Sequence, residues 1–316
     1  MIPLLILIFL GILIFLVIPL ICFRITFYVP KPKDGIHPEV PLPNNEVYGP
    51  YKDMMDGWTQ EVLNMPHEHF TITSFDGLEL HGNFYEYAPG APIELMFHGY
   101  RGSALRDLSG GVARCFALKR SCLIVDQRCA GRSQGTVITF GIKEHQDCLK
   151  WVDFMVEHFG PDVKIILTGI SMGASTVLMA GGLELPQNVR GILADCGFTS
   201  TTDIWKHVAK QARLAYPVYG GTAGKLAKKR LSMAVDADSC PQSLSRCRVP
   251  VLFVHGTDDH FVPVEMTYEN YKACASPKRL FVVPGAEHGM SYLTDPQGYE
   301  NAVQAFWTEF DSGIPS

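Results

Sequence analysis

From Ile93 to Val283 the chain alternates short apolar runs with helix-length amphipathic stretches, and this alternation dictates an architecture. The runs are Ile93-Glu-Leu-Met-Phe, Cys122-Leu-Ile-Val, Val163-Lys-Ile-Ile-Leu, Val189-Arg-Gly-Ile-Leu-Ala, Val249-Pro-Val-Leu-Phe-Val and Lys278-Arg-Leu-Phe-Val-Val. Bounded by Gly, Asp or Pro, they read as strands buried on both faces. Between them lie segments such as His145-Gln-Asp-Cys-Leu-Lys-Trp-Val-Asp-Phe-Met-Val, whose apolar residues recur at three and four spacing. A helix between successive strands is the connection a parallel sheet needs, so the expected fold is α/β, a mostly parallel sheet flanked by helices. Ahead of it, Phe70-Thr-Ile-Thr-Ser-Phe and Leu78-Glu-Leu-His-Gly-Asn-Phe-Tyr alternate around Asp76-Gly77, the turn dipeptide of a β-hairpin. At 316 residues with 47% hydrophobic and 19% charged, the chain has apolar surface enough for a sizeable core, which excludes disordered and fibrous classes.

Ile2 to Phe23 carries no charged side chain. At about 1.5 Å per residue such a run reaches roughly 33 Å, enough for a hydrocarbon core of about 30 Å. It has neither the basic start nor the small-residue cleavage site of a signal peptide, so an uncleaved transmembrane anchor over residues 1–28 is expected. The flanking cations Arg24, Lys31 and Lys33 all follow the run, which by the positive-inside rule puts the rest of the chain on the cytoplasmic side. The nine cysteines, with no Cys-x-x-Cys pair, point to a reducing compartment and signal neither a disulfide framework nor a structural zinc. Residues 29–66, rich in Pro, Asn, Gly and charge, read as a juxtamembrane connector with one short helix, and residues 67–316 as the globular domain. A net charge of -5 gives no reason to expect nucleic acid.

Gly169-Ile170-Ser171-Met172-Gly173 directly follows one apolar run and precedes a helix-like stretch. Gly-x-Ser-x-Gly at a strand-to-helix turn lets the backbone pack closely while the serine is held in a strained elbow with its Oγ exposed. Asp259 follows the Val249 run and His288 follows the Lys278 run, so Ser, Asp and His each sit at the C-terminal end of a strand, the edge where open α/β sheets bind ligands. Asp195 also ends a strand and competes for the acid's role, although capping of its loop is its expected task. His98, His255 and His260 read as turn or packing residues, Glu287 as a solvated neighbour of His288, and no His, Asp or Glu set shows metal spacing.

With these motifs the chain resembles the α/β-hydrolase superfamily, in its membrane-anchored esterase and serine aminopeptidase-like branches, from about Phe70 to Phe310. The resemblance implies a Ser171-His288-Asp259 triad, since His255-Gly-Thr-Asp-Asp-His-Phe-Val-Pro matches the family spacing at Asp259 rather than at Asp258. It also implies an oxyanion hole from the backbone N–H groups of Tyr100, in His98-Gly99-Tyr100, and Met172. Asp126-Gln-Arg-Cys-Ala-Gly-Arg-Ser-Gln-Gly is similar to a family loop in which Gly or Ala usually stands where this chain has Cys129. The long gap at about 198–248 corresponds to a small helical lid.

The reaction so implied is acyl transfer to water without a cofactor, on a small-molecule or lipid carboxylic ester. The lid carries Lys206, Lys210, Arg213, Lys225, Lys228, Lys229 and Arg230 interleaved with aromatics, which suits an amphiphilic substrate at an anionic surface and equally suits a solvated outer face. A serine aminopeptidase or thioesterase would use the same triad. A membrane-tethered binding protein without catalysis would have no use for the three residues and the oxyanion loop together.

Overall fold

In a computed structural model the described residues are all but 1, 14–16, 38–40, 42–44, 214–215, 232–233, 235 and 312–316; the side chains of 2, 7, 19, 217–219, 221–223, 230 and 231 also lie outside the description. The elements are α1 (Ile2–Ile12), α2 (Ile18–Phe27), α3 (Lys52–Asn64), β1 (Glu68–Thr73), β2 (Glu79–Tyr85), β3 (Ile93–Phe97), α4 (Ala104–Ala117), β4 (Ser121–Asp126), α5 (Glu144–Phe159), β5 (Ile165–Ile170), α6 (Met172–Ala180), β6 (Val189–Asp195), α7 (Thr201–Gln211), α8 (Tyr216–Leu231), α9 (Cys240–Leu244), β7 (Val251–Gly256), α10 (Val264–Ala273), β8 (Lys278–Val283), α11 (Ser291–Thr294) and α12 (Pro296–Phe310).

The strands form one sheet in the order β1-β2-β4-β3-β5-β6-β7-β8. The β1–β2 hairpin and the β2–β4 pair are antiparallel, and from β4 to β8 every pair is parallel. β3 and β7 are buried at every position, as their unbroken apolar runs require when helices cover both faces. One core cluster is built around Leu95, Leu167, Trp151 and Val177, and another around Leu193, Leu252, Phe306 and Trp307. Parallel strands with helical crossovers bring the ends of β3, β5, β6, β7 and β8 to one edge, where the loops carrying Tyr100, Ser171, Asp195, Asp259 and His288 meet.

The N-terminal region departs from the reading of a single spanning helix. Among the described residues no helix is long and apolar enough to cross a membrane. The apolar run forms α1 and α2, with residues 14–16 outside the described set, and α2 has a proline within its first two positions, where a missing N–H costs no hydrogen bond. The C-terminal end of α2 packs on the domain: Phe27 is fully buried against Phe140 and Trp205, and Tyr28 forms a β-bridge with Val137. Parts of residues 29–66 pack on it too, for the His37 N–H donates to the Gly131 carbonyl and Val62 is buried beside Tyr85 and Met96.

Candidate active site

Ser171 occupies the turn between β5 and α6 at φ 56°, ψ −118°, a conformation costly for a residue with a Cβ. The two glycines around it have a steric reason. A Cβ on Gly169 would lie 2.2 Å from the Gly173 carbonyl oxygen, and one on Gly173 would lie 2.0 Å from that of Phe97. The tight turn thereby lifts Ser171 Oγ to the sheet edge, 2.8 Å from His288 Nε2. His288 Nδ1 lies 2.7 Å from Asp259 Oδ2. With Asp259 ionised, Nδ1 carries the proton and donates to it, which leaves Nε2 free to accept from the serine hydroxyl.

Asp259 is held by more than His288. Its Oδ1 accepts the N–H groups of Phe261 and Val262 at 2.9 and 2.8 Å, and its Oδ2 lies 3.1 Å from His255 Nε2. His255 Nε2 also faces the Val262 carbonyl at 2.8 Å, so this nitrogen is the donor, and Nδ1 accepts from Thr267 Oγ1 at 2.6 Å. Burial pushes the Asp259 carboxyl upward, but the hydrogen bonds and charges of His255 and His288 outweigh it and hold the group well below the usual carboxylate range. The sequence reading treated His255 as a packing residue; its link to the acid depends on side-chain direction in β7, which no motif encodes.

The other candidates have separate tasks. Asp195 accepts from Ser291 Oγ at 3.0 Å, and burial raises its carboxyl above the ordinary value. His98 Nδ1 donates to the Gly99 carbonyl and its Nε2 accepts the Gln127 N–H, pinning the loop after β3 to the end of β4. From beneath, Asp107 Oδ2 accepts the Gly99 N–H at 3.0 Å. Among the described residues the N–H groups of Tyr100 and Met172 donate to no protein acceptor. His260 is exposed, with Glu287 3.8 Å away. Among the described residues the Asp258 side chain accepts only from the neighbouring Thr257 hydroxyl. Cys129 stands at φ 69°, which explains why a glycine suits that position of the loop.

Cys196 Sγ lies with donor atoms of Asp259 and His288 in a group spanning no more than 4.8 Å. Both Asp259 oxygens and the facing His288 nitrogen already bond one another or the loop, so a cation there would have to break the serine–histidine–aspartate chain.

Ser171 and His288 open onto a cavity of about 650 Å³. Its walls include Val47, Tyr48, Met55 and Trp58, the last seated against Gly110 and stacked on Tyr292 at 5.9 Å. Burial, with the nearby Cys196 and Asp107, pushes the Tyr48 hydroxyl up to about 12. Of the expected lid only Gln211 lines the cavity among the described residues; its cations Lys206, Lys210, Arg213, Lys225, Lys228 and Lys229 are exposed. Val47, Tyr48, Met55 and Trp58, all from the residues read as connector, supply one wall of the cavity.

Known proteins share this build. The sequence model for the α/β hydrolase fold matches residues 95–223. YqkD of Bacillus subtilis (strain 168) is 28% identical over 243 residues, covering 75% of this chain and 78% of the relative. Among solved structures, the Pyrococcus furiosus esterase Pf2001 superposes with a TM-score of 0.65 at 21% identity, over 80% of this chain and 96% of that one. An acetyl xylan esterase from Paenibacillus sp. R4 gives 0.57 at 16% identity, over 86% and 97%. In sheet order, in the elbow after β5 and in these likenesses, the chain has the α/β-hydrolase fold.

Proposed function

We propose that this hydrolase cleaves carboxylic esters through a Ser171 acyl-enzyme. His288 takes the Ser171 Oγ proton as the oxygen attacks the ester carbonyl, and the tetrahedral oxyanion rests against the N–H groups of Tyr100 and Met172. Asp259 keeps His288 in the tautomer that accepts at Nε2 and stabilises the imidazolium. The imidazolium then protonates the departing alcohol, and water repeats the sequence to release the acid. One observation carries this reading: the unbroken hydrogen-bond chain from Ser171 Oγ through His288 to Asp259, ending at a strained elbow that faces a cavity. The esterases among the structural neighbours agree with it.

The cavity suits an ester with an apolar portion of moderate size, because Val47, Met55, Trp58, Phe261 and Leu293 line it. We also propose that the chain works at a cytoplasmic membrane surface. α1 and α2 expose Leu4, Phe9, Ile21 and Ile25, and α8 exposes Lys225, Lys228 and Lys229 close to α2, a pairing of apolar and cationic surface that favours anionic lipid.

Fluorophosphonate labelling tests the chemistry. The wild-type chain takes the label and hydrolyses a small soluble ester, while Ser171→Ala does neither, its turnover falling by about 10⁶-fold. Labelling that survives Ser171→Ala refutes the assignment. Flotation with vesicles of anionic or neutral lipid tests the membrane reading, which fails if the chain floats with neither.

A further inference from the structure

The last carbonyls of a helix have no partner within it and must find donors elsewhere. At the end of α2 those donors come from the loop after β3. Tyr100 Oη donates to the Thr26 carbonyl at 2.7 Å, and Arg101 Nη2 donates to the carbonyls of Ile25 at 2.6 Å and Tyr28 at 3.2 Å. Arg101 Nε donates to Tyr100 Oη at 2.8 Å, so the two side chains act as one clamp. Arg101 itself stands at φ 54°, unfavourable for a residue with a Cβ. The clamp is braced from both sides. The Tyr100 ring stacks on Phe140 at 5.0 Å, and Phe27, fully buried, meets Phe140 and Trp205. Val29 N–H donates to the Thr136 carbonyl and Ile138 N–H to that of Phe27, which fastens the chain leaving α2 to the same loop region.

We infer that the docked end of α2 is part of the catalytic apparatus and that Arg101 and the Tyr100 hydroxyl are positioning residues for the oxyanion amide. The inference rests on the hydrolase reading above. The amide assigned to the oxyanion belongs to Tyr100, so the peptide whose direction matters lies between two side chains gripped by α2 and a Gly99 held by Asp107. Asp107 fixes one end of this loop; α2 fixes the other. With α2 released, Arg101 loses the Ile25 and Tyr28 carbonyls, the Tyr100 hydroxyl loses that of Thr26, and nothing retains the positive φ of Arg101. Tyr100 N–H then samples directions that no longer meet the oxyanion. A donor misdirected in this way weakens the transition state and leaves substrate binding nearly untouched, because the oxyanion exists only once the carbonyl has been attacked.

The test uses the full-length chain in three variants, Arg101→Ala, Tyr100→Phe and Lys150→Ala. Lys150, exposed on α5 and paired only with the neighbouring Asp153 among the described residues, lies outside the clamp and the cavity, so it serves as the control. Arg101→Ala lowers kcat on a small soluble ester by about 10- to 100-fold and Tyr100→Phe by about 3- to 10-fold, both below the roughly 10²–10³ of losing a donor outright. KM stays within about twofold, and Lys150→Ala matches the wild type. Fluorophosphonate still labels every variant. If Arg101→Ala fails to fold, Tyr100→Phe, which deletes one oxygen, decides alone. Unchanged kcat in the folded clamp variants overturns the inference, and so does a rise in KM without a fall in kcat. Absence of labelling in the wild type would instead refute the hydrolase reading on which it rests.

Discussion

Ser171 donates its backbone N–H to the main-chain carbonyl of Asp195 across 2.8 Å, yet the Asp195 carboxylate turns away and accepts from Ser291 Oγ. Of the two acids at neighbouring strand ends, Asp195 therefore supports the elbow by its backbone, and Asp259 faces His288. Asp259→Asn is expected to cut kcat by about 10⁴-fold, because an amide oriented by the Phe261 and Val262 N–H groups presents NH₂ to His288 and selects the wrong tautomer. Asp195→Asn keeps most of the turnover. Single-turnover rates on an activated ester separate the two, and the reverse ranking would transfer the acid's role.

The elbow has no room for a side chain at Gly173, where a Cβ would meet the carbonyls of Phe97 and His98 at 2.0 and 2.7 Å. Both oxygens belong to the strand and loop that lead to Tyr100. Gly173→Ala must push α6 away from β3, which separates Met172 from Tyr100. Far-UV circular dichroism close to wild type with turnover down by at least about 10²-fold is the expected result, in line with the cost of a misplaced oxyanion donor.

Glu94 lies fully buried between Arg114 and Arg120, with guanidinium contacts at 2.5 and 2.8 Å and the Thr168 hydroxyl at 3.0 Å. Burial raises its carboxyl, but the two guanidinium charges prevail and bring it from 4.5 down to about 2. A folded-state value below the unfolded one means stability that is complete above pH 4.5 and drains away as pH falls towards 2. Glu94→Gln leaves two buried cations without their anion and is expected to cost about 3–5 kcal/mol in urea unfolding at pH 7. Between pH 4.5 and 2 the variant should lose less further stability than the wild type, and equal slopes would contradict this account.

The sheet and the Ser171, Asp259 and His288 loops were legible because their signals are local: an apolar run, then a turn with Gly or Asp at a fixed offset. What escaped was decided by packing partners distant in sequence. The apolar run Ile2 to Phe23 stops short of the residue that docks: Phe27 lies against Phe140 and Trp205, rings more than 100 positions away that only the fold brings to it. Lys52–Asn64 buries only Val62 completely, too weak an apolar stripe to declare a wall of the cavity, and Trp58 earns its place from Gly110 on another helix. His255 reaches Asp259 through the pleat of β7 and the turn that follows it.

The wall formed by Trp58 leads to the last prediction. Its ring closes one side of the cavity, held by the missing side chain of Gly110 and by stacking on Tyr292. Trp58→Ala removes that wall without touching Ser171, His288 or Asp259, so reactivity towards fluorophosphonate should persist. Short acyl esters should lose several-fold in kcat/KM as they give up the ring's contact, since each buried methylene is worth about 0.8 kcal/mol. Longer or branched acyl esters should gain relative to them, because the opened side admits bulk that the indole excludes. A panel of esters differing only in acyl length, run on both proteins, measures the ratio. An identical ranking in the two would mean that the acyl group does not occupy this side of the cavity.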